Sequence, residues 1–534
     1  MTSTAAGTVT SRQKSLRPAN AWGSRGFRGR GGGAWTLLPT PPVFRGTSAQ
    51  VCGWWPFAAA SARPDLGVPV GADLVTGATV CCDPFAWFQA GLISSPSMLV
   101  LGLQGLGKSS FATRQIIGLA HRGVVPLVAG DLKPDYVNTI DALGGQVLAL
   151  GSGQQLNVLD QGAMHAAADR IGGAAGDVLR EQAVARAATM VAALVQVVRR
   201  SPLEDWEHGL LARTVRAMTI AHRERGLPAP TLPELAALLR EPTAEMISGV
   251  LADDESDYQR LTRRLNRSLT ALLDGPLGTT FAGQTTTRIA ADSAGVCVDI
   301  SAAARASEEY LAAVMLACWS EVFATVEAAN ALADAQLAPQ RHFLTVIDEM
   351  WRPMRLAGAG LVDKLDAITR LNRAEGVGHI FITHTLKDLE SMDSPAETRK
   401  AKGFAERSAI TVTAGLARED LRALSDVRRL SAAEIDTVAS WSTPPGWRPR
   451  VLASPDGSTR PAPPPGAGRV LIKIGQRPGI ATQVLLTQTE LALHDTNTRW
   501  ITPAPATVPL PRAPGQPISP DLPISACRAG DGAA

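Results

Sequence analysis

The nine residues from Gly102 to Ser110, Gly-Leu-Gln-Gly-Leu-Gly-Lys-Ser-Ser, put Gly102, Gly107, Lys108 and Ser109 in Gly-x4-Gly-Lys-Ser spacing. Glycines let a loop turn tightly enough for successive N–H groups to converge on phosphate oxygens. A helix opening at Lys108 would add its N-terminal dipole to the same anion. Lys108 would reach the β- and γ-phosphates, and the Ser109 hydroxyl would hold Mg²⁺. The spacing assigns Gly102, Gly105, Leu106, Gly107, Lys108, Ser109 and Ser110 to nucleotide binding. A glycine-rich turn without a ligand is the competing reading. The apolar run Met98–Leu101 before the loop and the helical pattern after it favour the phosphate loop.

A second constellation lies far downstream. In "HFLTVIDEMW" (342–351), an apolar, β-branched strand runs into Asp348-Glu349. A carboxylate at the end of a buried parallel strand, beside a phosphate loop, is placed to hold Mg²⁺ through water. The adjacent Glu349 could deprotonate an attacking water. A solvated strand end is the bland alternative. The next strand, "GHIFITHT" (378–385), ends in Thr383 and His384, the two candidates for sensing the γ-phosphate. No Asn-Lys-x-Asp guanine-reading motif occurs, so ATP is the expected nucleotide.

The elements that must position these residues alternate. A helix over 83–93 leads to the strand before the loop. The helix after it ends near Arg122, followed by strands at "VVPLVAGD" (124–131) and "QVLALG" (146–151), with "TIDALGG" as a helix between them. This rhythm predicts a mainly parallel sheet. From about 160 to 275 the spacing turns helical and alanine-rich, an insertion of roughly a hundred residues by its periodicity. "VCVDIS" (296–301) resumes the strands, and a long apolar helix follows it.

Taken as an ordered set, these blocks resemble the type IV secretion and conjugation ATPases of the VirB-four/TraC class, within the FtsK–HerA motor group. The resemblance runs over about 65–500. It includes "PVGADLVTGATVCCDPF", the phosphate loop, the Asp-x-Lys-x-x-Tyr segment in "GDLKPDYVNTIDALGGQVLALGSGQQLNVLD", "GPLGTTFAGQTT", "LTVIDEMW", "ITRLNRAEGVGHIFITHTLKDL" and "GRVLIKIGQRPGIATQVLLTQTE". It implies a RecA-like core in two parts, 51–159 and 281–500, around an all-helical insertion at 160–280. It implies a homo-hexameric ring with ATP between subunits. An arginine finger would come from Arg373 or Arg370, and Arg477 would approach the nucleotide or the subunit interface. Channel components of the secretion apparatus are the implied partners, with DNA as a further candidate. They would bring the chain to the inner face of the cell membrane. Where many relatives end the sensor strand in Thr-Gln, this chain has His384. Two other functions share the motifs: a translocase acting directly on DNA, and a nucleotide-dependent scaffold with little turnover.

Composition sets the outer bounds. The 534 residues suffice for two or three domains, and 45% hydrophobic with 19% charged residues is a globular balance. Residues 1–50 carry seven basic and no acidic groups, which leaves the remainder slightly acidic. The body is therefore not a generally basic nucleic-acid binder. The Gly/Arg-rich arm (1–50) and the Pro-rich tail (501–534) read as disordered. "SPDGSTRPAPPPGAG" (454–468) reads as a surface loop. The six cysteines have no C-x2-C spacing and fit a reducing cytoplasm. No apolar run reads as long enough to span a bilayer.

Overall fold

Seven strands build the parallel part of the sheet, and the most central of them read as apolar runs, because a parallel strand covered on both faces has no solvent side. In the computed structural model the seven are β3 (Ser97–Leu101), β4 (Val124–Asp131), β5 (Gln146–Ala149), β6 (Val296–Asp299), β7 (His342–Ile347), β8 (Val377–Thr383) and β9 (Ile410–Thr413). Every residue of β3, β4 and β8 is buried. The structure describes residues 64–150, 153–290, 292–349, 375–387, 403, 405–443, 451–453, 459–461 and 463–493. The basic arm, the Pro-rich tail, Arg370 and Arg373 lie outside the described residues.

The fold is the expected α/β architecture: an eleven-stranded, mainly parallel sheet of RecA-like P-loop NTPase type, interrupted by a large helical insertion. Strand order is β2 (Thr79–Cys81), β1 (Pro69–Asp73), β13 (Ile480–Val484), β12 (Arg469–Ile474), then β9-β3-β8-β7-β4-β6-β5. The pairs among β9, β3, β8, β7, β4, β6 and β5 are parallel. The four further strands, β1, β2, β12 and β13, extend one edge antiparallel. A separate two-stranded sheet pairs β10 (Val451–Ala453) with β11 (Thr459–Pro461).

Register decides what meets at the top of the sheet. Leu101 of β3 pairs with Thr383 of β8, and Phe381 of β8 pairs with Ile347 of β7. The strand after Asp348-Glu349 in sequence thus inserts between the loop strand and the carboxylate strand. Ligands bind outside the carboxyl ends of such strands.

Helices cover both faces. Helix α1 (Pro84–Gln89) is capped by Asp83, and α2 (Lys108–His121) follows the phosphate loop. Helix α3 (Val137–Ala142) lies between β4 and β5. The insertion comprises α4 (Gly162–Ile171), α5 (Gly173–Arg199), α6 (Asp205–Glu224), α7 (Leu232–Arg240), α8 (Ala244–Gly249), α9 (Glu255–Asp274) and α10 (Pro276–Phe281). Glu204 and Thr231 close capping boxes on α6 and α7, which satisfies their first N–H groups. Helix α11 (Glu308–Asp334) packs against β4, α4 and α5, and Trp319 Nε1 donates to the Ala129 carbonyl at 2.7 Å. By length and composition α5 and α11 could each cross a membrane, contrary to the reading from apolar runs; 56% and 83% of their apolar windows are buried inside the fold. Helix α11, apolar and buried along most of its length, is a core helix, whereas α5 is buried along one side.

Toward the C-terminus come α12 (Arg418–Val427), α13 (Ala432–Trp441) and α14 (Gln488–Leu493). Glu434 on α13 accepts from Lys473 Nζ and Gly479 N, which ties that helix to the β12–β13 hairpin. The stretch expected as a surface loop is partly packed instead. Its Gly466 is buried against Trp441, and Gly468 N donates to the Leu106 carbonyl at 3.0 Å. Glycines here permit a close backbone approach that the Pro/Gly composition did not distinguish from exposure.

Candidate nucleotide site

The phosphate loop leaves β3 at Gly102, where φ is 157° and a Cβ would stand 2.6 Å from that of Ala414. Gly107 sits at φ 100°, and a Cβ there would meet the Gly468 backbone. Neighbouring strands pin the loop: Gly102 N donates to the His384 carbonyl and Leu103 N to the Gly415 carbonyl. Leu106 is buried beneath it, and α2 begins at Lys108 with Ser109 and Ser110 half-buried in its first turn. The loop Gly102–Gly107 thus joins the end of β3 directly to the first turn of α2, with Lys108, Ser109 and Ser110 at the helix start.

Lys108 is buried. Its ammonium donates to the carbonyls of Gly102 (2.7 Å) and Leu103 (3.2 Å), and to His384 Nδ1 at 3.1 Å. An ammonium can only donate, so Nδ1 accepts and the other ring nitrogen carries the hydrogen. That Nε2 lies 3.2 Å from Glu349 Oε1. His384 thus stands between Lys108 and Glu349.

Asp348 and Glu349 sit at the end of β7, with different surroundings. Asp348 Oδ2 accepts from the Tyr136 hydroxyl at 2.9 Å, and Oδ1 from the Glu349 N–H at 2.8 Å. Burial and the neighbouring Glu349 charge push the Asp348 pKa up to about 6. Burial also acts to raise the Glu349 pKa, but hydrogen bonds from His384 and from Lys133, at 2.7 Å, more than offset it and hold that carboxyl well below its ordinary range. Glu349 is buried, with its backbone in the left-handed region at φ 52°. That region is costly for a residue with a Cβ and marks functional sites.

Sequence reasoning gave no role to Lys133 or Tyr136. Both belong to the Asp-x-Lys-x-x-Tyr turn that follows β4, the strand beside β7. Asp131 organises the turn: its carboxylate accepts the N–H groups of Lys133, Asp135 and Tyr136. Burial moves the Asp131 pKa up to about 7 against those hydrogen bonds. The missed signal is the one that found Asp348: polar residues directly after a buried parallel strand.

The other candidates fare unequally. Thr383 is buried at the tip of β8, and His384 is part of the network. Arg477 lies beyond the end of β12. Because Ile474 pairs with Ile410, level with the start of β3, the structure places Arg477 at the opposite end of the sheet from its own phosphate loop. Among the described residues no three His, Cys, Asp or Glu side chains form a metal cluster. A hydroxyl and a carboxylate, Ser109 and Asp348, are the hard oxygen donors that Mg²⁺ prefers when substrate phosphates and water complete its shell.

The sheet order, the loop and the Asp-Glu strand end together define the fold of a RecA-like P-loop NTPase. No family model matches the chain, and no curated protein matches it. Solved structures do. The chain is similar to VirB4 of Thermoanaerobacter pseudethanolicus at a TM-score of 0.59 and 17% identity, over 81% of this chain and 100% of that one. Plasmid coupling protein TrwB in complex with a non-hydrolysable ATP analogue gives 0.43 and 15% identity, over 73% and 86%.

Proposed function

We propose that the chain is an ATP-hydrolysing motor that energises conjugative DNA transfer or type IV secretion. The carrying observation is the convergence of Lys108, Ser109, Asp348, Glu349 and His384 on the carboxyl ends of three adjacent strands. The fold shared with a VirB4 structure supports the setting.

In this reading the loop N–H groups and Lys108 bind the β- and γ-phosphates of ATP. Ser109 and Asp348 would hold Mg²⁺, Asp348 through water, and the ion would neutralise charge on the phosphate oxygens. Glu349 orients a water and takes its proton as the water oxygen bonds to the γ-phosphorus. The bond from that phosphorus to the β,γ-bridging oxygen breaks, and ADP leaves with its electron pair. His384, beside Thr383, reports the γ-phosphate to Glu349. The working form is a homo-hexamer whose neighbouring subunit supplies Arg373 or Arg370 to the γ-phosphate. Arg477, remote from its own loop, would serve a subunit interface. Secretion-channel components bring the ring to the cytoplasmic face of the membrane, and DNA is the further partner to test.

ATP turnover by the wild type and Glu349→Gln, with nucleotide binding confirmed for both, tests the reading. Turnover should fall by about a hundredfold or more, as when a positioned acid–base group is lost. Equal turnover in both would sink the assignment of the base.

A further inference from the structure

We propose that Lys133 is a positioning residue that holds Glu349 in a resting arrangement while the phosphate site is empty, and that filling the site releases it. The inference rests on the ATPase reading above and assigns to Lys133 a role of its own.

Three observations carry it. Lys133 Nζ and His384 Nε2 both address Oε1 of Glu349, at 2.7 and 3.2 Å. Two donors on one oxygen fix the orientation of the whole carboxylate, so it cannot turn toward a water while both hold it. The arrangement is therefore a resting one. Second, Glu349 is held at φ 52°, so its backbone has lower-energy conformations available once those contacts loosen. Third, the restraint is wired to the phosphate site. The ammonium of Lys108 donates to His384 Nδ1, so one imidazole joins the phosphate-binding lysine to the base. Phosphate oxygens compete for that ammonium. When Lys108 turns to them, His384 loses the donor that fixes its ring against Glu349.

Lys133 suits the task because it can let go. Its backbone is fixed by the Asp131 carboxylate, whereas its side chain is 44% exposed. A half-solvated ammonium is rehydrated readily when its partner leaves. The pair is a latch that depends on local geometry and on a second contact from His384.

The test is affinity of the full chain for the Mg²⁺ complex of a non-hydrolysable ATP analogue, measured by calorimetry. The proteins are wild type, Lys133→Met, Lys133→Arg, Glu349→Gln and the Lys133→Met/Glu349→Gln double variant, each checked by thermal melting. Removing a cation beside a polyanion site would, by Coulomb's law alone, weaken binding. The latch gives the opposite sign: Lys133→Met should bind the analogue three- to tenfold tighter. Lys133→Arg should stay near wild type, and the Lys133→Met effect should vanish in the Glu349→Gln background. Unchanged or weaker binding in Lys133→Met, or the same change in both backgrounds, would overturn the latch and leave the ATPase reading standing. Failure of the wild type to bind the analogue would overturn both.

Discussion

Tyr136 shows how much one hydroxyl can decide. It gives Asp348 a hydrogen bond on one carboxylate oxygen, and the Glu349 N–H occupies the other. Burial and Glu349 already push the Asp348 pKa up to about 6, and the Tyr136 bond opposes that shift. Tyr136→Phe removes the opposing bond, so the pKa should rise further and the protonated, metal-poor form should gain ground near neutrality. The Mg²⁺ concentration for half-maximal turnover should rise three- to tenfold, and more steeply as pH falls toward 6. Binding of the analogue without Mg²⁺ should change little. A metal requirement identical to wild type across that pH range would show that Tyr136 only packs. Of these residues, Asp348 and Glu349 were legible because an apolar strand announces its own end. Tyr136 and Lys133 follow a strand equally well, but their partners lie 212 and 216 positions away. No local pattern encodes that separation.

At the scale of the element, β8 contains a buried histidine, His379, level with the start of β3. His379 stacks on Phe381, meets the edge of Phe323, and hydrogen-bonds Thr345 on β7. Burial lowers its pKa from 6.5 to about 3. The unfolded chain therefore takes up a proton first as pH falls. The stability linked to this group is fully present above about 6.5 and is lost progressively from there toward 3, by at most about 1.4 kcal/mol per pH unit. His379→Phe should flatten the acid limb of the stability curve relative to wild type, measured by urea unfolding at several pH values. Parallel acid limbs would remove His379 from the account. The strands themselves were the most legible elements: β4 spans the residues expected from its apolar run. In contrast, β9, four residues of Ile-Thr-Val-Thr, carries too little pattern to announce itself, yet it flanks the phosphate-loop strand.

At the scale of the whole molecule, the insertion and the sheet share one apolar core. Leu99 and Leu127 of the sheet belong to the same cluster as Leu210, Leu235 and Tyr258 of the insertion. Arg199 and Glu207 form a bidentate pair within the insertion at 2.7 and 2.8 Å, with side chains 5% and 1% exposed. Burial acts to raise the Glu207 pKa, and Arg199 together with the Glu204 N–H more than offsets it. Arg199→Met would strand a buried carboxylate, at a cost of about 3–5 kcal/mol. Because the core is continuous, the loss should appear as one cooperative shift. Hydrogen exchange in the insertion and the sheet should accelerate together. Exchange confined to the insertion would show that it unfolds alone.

The sequence by itself determined the glycine-spaced turn between a strand and a helix, the two carboxylates after an apolar strand, the alternation of strands and helices, and the presence of a helical insertion. Those signals are short-range: glycine spacing, apolar runs and helical period each read within a dozen residues. Tertiary structure alone decided the order of the strands, and with it which strand ends become neighbours. That order put β8 between β3 and β7, brought His384 between Lys108 and Glu349, and aligned β4 so that Lys133 reaches the same carboxylate. It also sent Arg477 to the far end of the sheet and packed Gly468 onto the loop. Such contacts join residues hundreds of positions apart. They are fixed by which faces can be buried together, a property of the packed sheet that no window of sequence contains.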